Sequence, residues 1–122
     1  MKELLDTALN SENTILIQKT LRSGQSIKHS GNVVILGDVN PGAEVVAGGH
    51  VIVMGALRGM VHAGAFGNEN ATVTAFCLNP IQLRICNYIT RIPDGSHPDP
   101  GEPETARISN ETVIIEKYQS SR

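Results

Sequence analysis

A chain of 122 residues holds one domain and has no room for a second substantial core. With 40% hydrophobic and 18% charged residues and a formal net charge of -2, it can bury a core, and it lacks the basic, aromatic-interleaved run of a nucleic-acid track. Its two cysteines come with no signal-peptide pattern, so neither a disulfide framework nor export is indicated, and no apolar run reaches membrane-spanning length.

Residues 1–13 read as a flexible leader or linker remnant, in which Lys2 to Ala8 has the makings of a weak helical turn or two. Residues 14–122 form the domain, entered by a strand over Thr14 to Gln18. From there Ile27, Val33, Val39, Val45, Val51, Leu57 and Ala63 recur every six residues, and Gly31, Gly37, Ala43, Gly49 and Gly55 stand two places before five of them. The segment Val33-Val34-Ile35-Leu36-Gly37 returns 18 positions later as Val51-Ile52-Val53-Met54-Gly55. Three sixes make a triangular coil, each side a short strand and each coil lying on the last at about 4.8 Å. Ten of the 12 glycines fall between Gly24 and Gly67, which suits bends and close backbone approaches and opposes helix.

The rhythm falters at Phe66-Gly67-Asn68-Glu69-Asn70 and resumes at Ala71-Thr72-Val73-Thr74-Ala75. Aligning the latter with Val51 to Gly55 requires two extra residues, hence a longer corner. Leu83 to Cys86 offers a further alternating strand. Four prolines and two glycines between Pro93 and Pro103 cannot continue a ladder, so residues 93–105 are expected to form a mobile loop. Ala106 to Ser109 and Thr112 to Lys117 then read as strands around Asn110-Glu111, placed to cover an end of the prism. The expected fold is all-β: a short parallel β-helix of triangular cross-section with terminal strands packing on it.

Strand alternation sends Val33, Ile35, Val51 and Val53 inward and therefore Val34, Leu36, Ile52 and Met54 outward. One outer wall is thus apolar. A flat, self-complementary apolar wall suits two-fold pairing, which makes those four residues the candidate homodimer interface. On another side the 18-residue return places Glu44 over His62, a weak surface pair at most.

No catalytic set emerges. His29, His50, His62 and His97 stand in no Ser/Asp or Cys/His arrangement, and His50 reads as an exposed turn residue. Cys77 and Cys86 lack metal-site spacing and read as buried or half-buried small hydrophobes. Gly55-Ala56-Leu57-Arg58-Gly59 lacks the Lys-Ser/Thr ending of a phosphate loop. No enzyme activity, cofactor or metal is therefore expected. A hexapeptide-repeat acyltransferase-like enzyme remains an alternative, weakened by bulky residues such as Val34 and Ile52 directly after the repeated aliphatic. A purely structural β-helix oligomerisation module is another.

The runs Leu21-Arg22-Ser23-Gly24-Gln25-Ser26-Ile27, Val34 to Val45 (VILGDVNPGAEV) and Gly55-Ala56-Leu57-Arg58-Gly59 with Ala63-Gly64 resemble the C-terminal domain of the bacterial septum site-determining protein MinC. The likeness continues through Gly67-Asn68 and Pro80 to Ile85, covering about Leu21 to Ile92. It implies a right-handed β-helix, a hand that spacing alone does not choose. It also implies a homodimer that helps block division-ring assembly away from midcell, and a membrane-associated ATPase partner, MinD, in its ATP-bound state. The tubulin-like division protein FtsZ is a further implied partner. Localisation would be cytoplasmic, with recruitment to the inner face of the membrane only through the partner. The matching Arg22, Ser23, Gly24 and Gln25 would form the partner-binding surface, where Arg22 supplies a multi-donor fork and Gly24 close backbone approach. Whole proteins of this kind carry a further N-terminal domain, and nothing of that size precedes Leu21. Asn87 stands where a glycine often follows the strand, a place its tolerance of left-handed backbone would suit.

Overall fold

A computed structural model describes residues 13–91 and 101–118. The leader before Asn13, the prolines at 93, 98 and 100, and His97 lie outside the described residues. Eleven strands follow in chain order: β1 (Thr14–Ile17), β2 (Ser26–His29), β3 (Asn32–Ile35), β4 (Glu44–Ala47), β5 (Val51–Leu57), β6 (Met60–Ala63), β7 (Val73–Leu78), β8 (Gln82–Ile85), β9 (Tyr88–Arg91), β10 (Glu104–Ser109) and β11 (Thr112–Lys117). No helix occurs among the described residues.

The chain winds as a β-solenoid of about four turns. One side is the parallel run β1-β3-β5-β7, and a second is β2-β4-β6-β8. The third side is narrow. It is carried by the parallel bridges Leu21 to Val39 and Val39 to Leu57, with Leu57 then lying on Leu78. Three inward ladders fill the interior, one per side: Val33 on Val51 on Val73, Val45 on Val61 on Leu83, and Leu21 through Leu78. Every one of these residues is at least 98% buried. Like side chains one coil apart keep the layer spacing uniform, so each methyl displaced from water also finds a packed neighbour.

Val33 and Val51 occupy equivalent places on adjoining coils, as the 18-residue return predicts. The later corners depart from that return. Val51 pairs with Val73, so this coil runs four residues over the 18-residue return where the sequence alignment allowed two: the corner after β6 inserts six and the corner before β6 loses two. Val45 pairs with Val61 and Val46 with His62, a coil of only 16 residues. Glu44 consequently lies on Met60, and the expected Glu44–His62 pair does not form. The physical reason is the corner Arg58-Gly59: it connects β5 to β6 directly, with no turn such as Asn40–Ala43 makes one coil earlier.

Both ends of the chain's last coil are finished by antiparallel strands. β10 pairs with β7 and β11 with β10, which covers the edge of the first side as anticipated. β10 begins at Glu104, two residues earlier than the sequence indicated. β9 folds back on β8 and was not anticipated, although Tyr88-Ile89-Thr90-Arg91 has strand composition. Its two-residue loop, Cys86-Asn87, lacks the glycine that normally announces a hairpin. The left-handed residue there is Cys86, at φ 54°, and not Asn87.

Candidate partner-binding corner and apolar outer wall

Two surface features stand out, and each follows from how the coils stack. The first is the corner that leads into β2. Gln25 N–H donates to the Arg22 carbonyl (2.9 Å), and Gly24 sits third in the turn at φ 89°, the type II pattern. The Gln25 side-chain oxygen accepts from Arg22 N–H (2.8 Å), closing the turn from both ends. One coil on, Asn40-Pro41-Gly42-Ala43 repeats the design, with Ala43 N–H on the Asn40 carbonyl (3.0 Å) and Gly42 at φ 90°. Gly24 N–H donates to the Gly42 carbonyl (3.0 Å), so the lower turn carries the upper. A Cβ on Gly42 would collide with Ser23 Oγ, whereas one on Gly24 would meet nothing within 4 Å. Arg22, Ser23, Gly24 and Gln25 are all exposed. The structure thus brings the four candidate residues together in one rigid, outward-facing turn.

The second feature is the outer wall of the first side. Leu16 lies beside Val34, Val34 beside Ile52, and Ile52 beside Thr74. Leu36 and Met54 stand two residues further along the same coils. Leu16, Leu36, Ile52, Met54 and Phe76 are between 36% and 55% exposed, and Val34 is half-buried. The predicted outward set is therefore outward. Leu16 and Phe76 extend it by one coil at each end, a signal already present in the alternation of Ile15-Leu16-Ile17 and Ala75-Phe76-Cys77. At its far edge the wall turns polar where the Thr74 and Thr105 hydroxyls meet at 2.9 Å.

A polar ladder runs along the corner beside this wall. Asn32 Nδ2 donates to Thr14 Oγ1 (3.0 Å), His50 N–H donates to Asn32 Oδ1 (2.8 Å), and Thr72 N–H donates to His50 Nδ1 (3.0 Å). His50 is an exposed corner residue as expected, with the added role of accepting the next coil's backbone through the ring nitrogen that carries no proton. On the neighbouring corner Asp38 does the equivalent work, its Oδ1 accepting from Ala56 N–H (2.8 Å). Cys86 is buried and Cys77 half-buried. Among the described residues no group of three or more His, Cys, Asp or Glu could hold a metal ion.

The family described as "Septum formation inhibitor MinC, C-terminal domain" matches residues 15–118. The chain belongs to this family. A probable septum site-determining protein MinC of Heliobacterium modesticaldum is 58% identical over 97% of the chain, and one of Sulfurihydrogenibium sp. is 51% identical over 97%. The chain spans 41% and 60% of those two relatives' lengths. Among solved structures, a chain of the "MinC:MinD cell division protein complex, Aquifex aeolicus" superposes with a TM-score of 0.85 at 41% identity, covering 88% of both chains. The four-coil solenoid with its stacked corner turns is thus a MinC C-terminal domain. No helix among the described residues is long and apolar enough to cross a membrane.

Proposed function

We propose that this chain is a non-catalytic adaptor domain that pairs with a second copy through its apolar wall and binds a MinD-type ATPase, in its ATP-bound state, through the Arg22–Gln25 corner. The observation that carries this reading is the 41% identical neighbour titled as a MinC:MinD complex, taken together with the rigid, exposed turn at the matching motif. Recruited by that partner, the domain would lie peripherally at the inner face of the membrane and help block assembly of the FtsZ-based division ring at sites away from midcell. Residues 14–122 would act as the dimerising and partner-binding unit.

Two variants test the two surfaces separately. Arg22→Ala removes an anchor without touching an inward ladder and should weaken ATP-dependent capture by the partner about tenfold or more. Ile52→Asp places a charge in the wall and should shift the sedimenting species from dimer to monomer or make the chain insoluble. Capture by the partner regardless of nucleotide, or an unchanged folded dimer with Ile52→Asp, would contradict the corresponding half of the reading. A chain that dimerises and never captures the partner would be a structural oligomerisation module instead.

A further inference from the structure

The two ends of the solenoid are finished differently. At the far end β9, β10 and β11 turn back as antiparallel strands on the last coil. At the near end β1 and β2 are the outermost members of their sheets, with no described strand beyond them. The inward side chains register the difference: Ile27 and His29 of β2 are half-buried, whereas Val45 and Ala47, directly below them, are fully buried. His29 Nε2 is itself shielded from water and has no hydrogen-bond partner among the described residues. A buried ring nitrogen left unpaired is costly, so a polar group belongs against it.

The backbone of β2 is open along the same edge. The Gln25 and His29 carbonyls accept from Glu44 N–H (3.1 Å) and Gly48 N–H (3.0 Å) of the coil below. Alternate residues of a parallel strand face opposite neighbours, so the N–H and C=O groups of Ser26 and Lys28 point away from that coil and toward the open edge.

The register of the first coil indicates which residues reach that edge. Asn32 N–H donates to the Asn13 carbonyl (2.8 Å), Thr14 pairs with Asn32, and a Cβ on Gly31 would strike the Asn13 carbonyl, so Asn13 sits directly over Gly31. The 18-residue return is therefore already in force where the described chain begins. The six-residue series also runs back from Ile27 through Leu21 and Ile15 to Leu9. Carried further back, the same return sets Ala8, Leu9, Asn10 and Ser11 over Ser26, Ile27, Lys28 and His29 in turn.

We infer that Ala8 to Ser11 adds to the open edge of β2 as a parallel strand, with Leu9 covering Ile27 and the Ser11 hydroxyl meeting His29 Nε2. The Ser26 and Lys28 N–H groups then donate to carbonyls of the leader. A segment tethered beside its site meets it at an effective concentration that a free strand of another chain does not match. Burying Leu9 and closing the ladder offset the ordering of so short a stretch. Gln25 leads straight into β2, so the added strand also steadies the Arg22–Gln25 turn, which rests on Gly42 from the other side.

Amide hydrogen exchange on the full chain tests this with no ATPase present, so that its failure leaves the partner reading untouched. The Ser26 and Lys28 amides should exchange about tenfold or more slowly than open-edge amides. Leu9→Asp should return both to the open-edge rate, while Ala8→Asp, on the outward side of the same strand, should leave them protected. Neither change touches a described ladder, so circular dichroism should be the same for both. Ser11→Ala should shift the His29 ring resonances and leave those of His50 in place. The inference is overturned if the Ser26 and Lys28 amides exchange freely in the unaltered chain, if Ala8→Asp exposes them as fully as Leu9→Asp does, or if the His29 signals ignore Ser11→Ala. Protection that rises with chain concentration would assign the edge to a second copy, and protection gained only with the ATP-bound ATPase would assign it to that partner; either result also overturns it.

Discussion

The first two coils and the two that follow differ at their corners, and the difference separates what holds the solenoid together from what shapes its surface. In the first two, type II turns of equal length rest on each other and an 18-residue register holds on every side: Thr14 on Asn32, Leu21 on Val39, Ser26 on Glu44. Beyond them the corner before β6 loses two residues and the corner after it gains six, giving offsets of 16 from Val45 to Val61 and 22 from Val51 to Val73. The inward ladders survive regardless. Both changes are even, so the two-residue alternation of each strand still points the same side chains inward. The narrow third side sees an offset of 21 from Leu57 to Leu78, and the irregularity between Val53 and Ala56 in β5 absorbs the odd residue. Ladders therefore tolerate corners of any suitable length. The Arg22–Gln25 turn does not, because its shape depends on an equal turn beneath it.

The largest effect should come from breaking a ladder where one residue per coil carries the side. Leu57→Ala, with Val39 and Leu78 on either flank, should lower stability by about 3 kcal/mol in thermal or denaturant unfolding, since neither neighbour can move to fill the space. A loss below about 1 kcal/mol would mean that the third side contributes little.

The stacked turns allow a sharper contrast. Gly42→Ala meets both a left-handed backbone and Ser23, and should cost about 2 kcal/mol or more; Gly24→Ala meets only the backbone strain and should cost about 1 kcal/mol. Equal losses in the two variants would show that the upper turn does not rest on the lower one.

The smallest change should be a gain. Asn110 and Glu111 both have positive φ, at 52° and 62°, the type I′ pattern in which glycine is favoured second. Glu111→Gly should raise stability by about 0.5 to 1 kcal/mol, read as an upward shift in the unfolding midpoint. No gain would imply that Glu111 makes a compensating contact at the hairpin tip.

Much of the fold was legible because the repeat is written in chemistry that each coil must satisfy locally. Val33 and Val51 could be placed on adjoining layers from spacing alone, and the outward set Val34, Leu36, Ile52 and Met54 followed from alternation. The candidate corner was legible only through the Arg22–Gln25 motif. Its rigidity was not, since that comes from Gly42, 18 residues later in sequence and directly below in space. Likewise His50 read as a bland corner until Asn32 and Thr72 were found on either side of it.

The sequence by itself determined the inward aliphatics, the strand faces and the glycine-bearing corners, because alternation and turn preference act within a few residues. Only the tertiary structure decided the 16- and 22-residue coils, the fold-back of β9 and the partnership of the two turns. Those depend on which backbone hydrogen bonds close across neighbouring coils, and a corner's residue count does not fix that pairing until the coil beneath is in place.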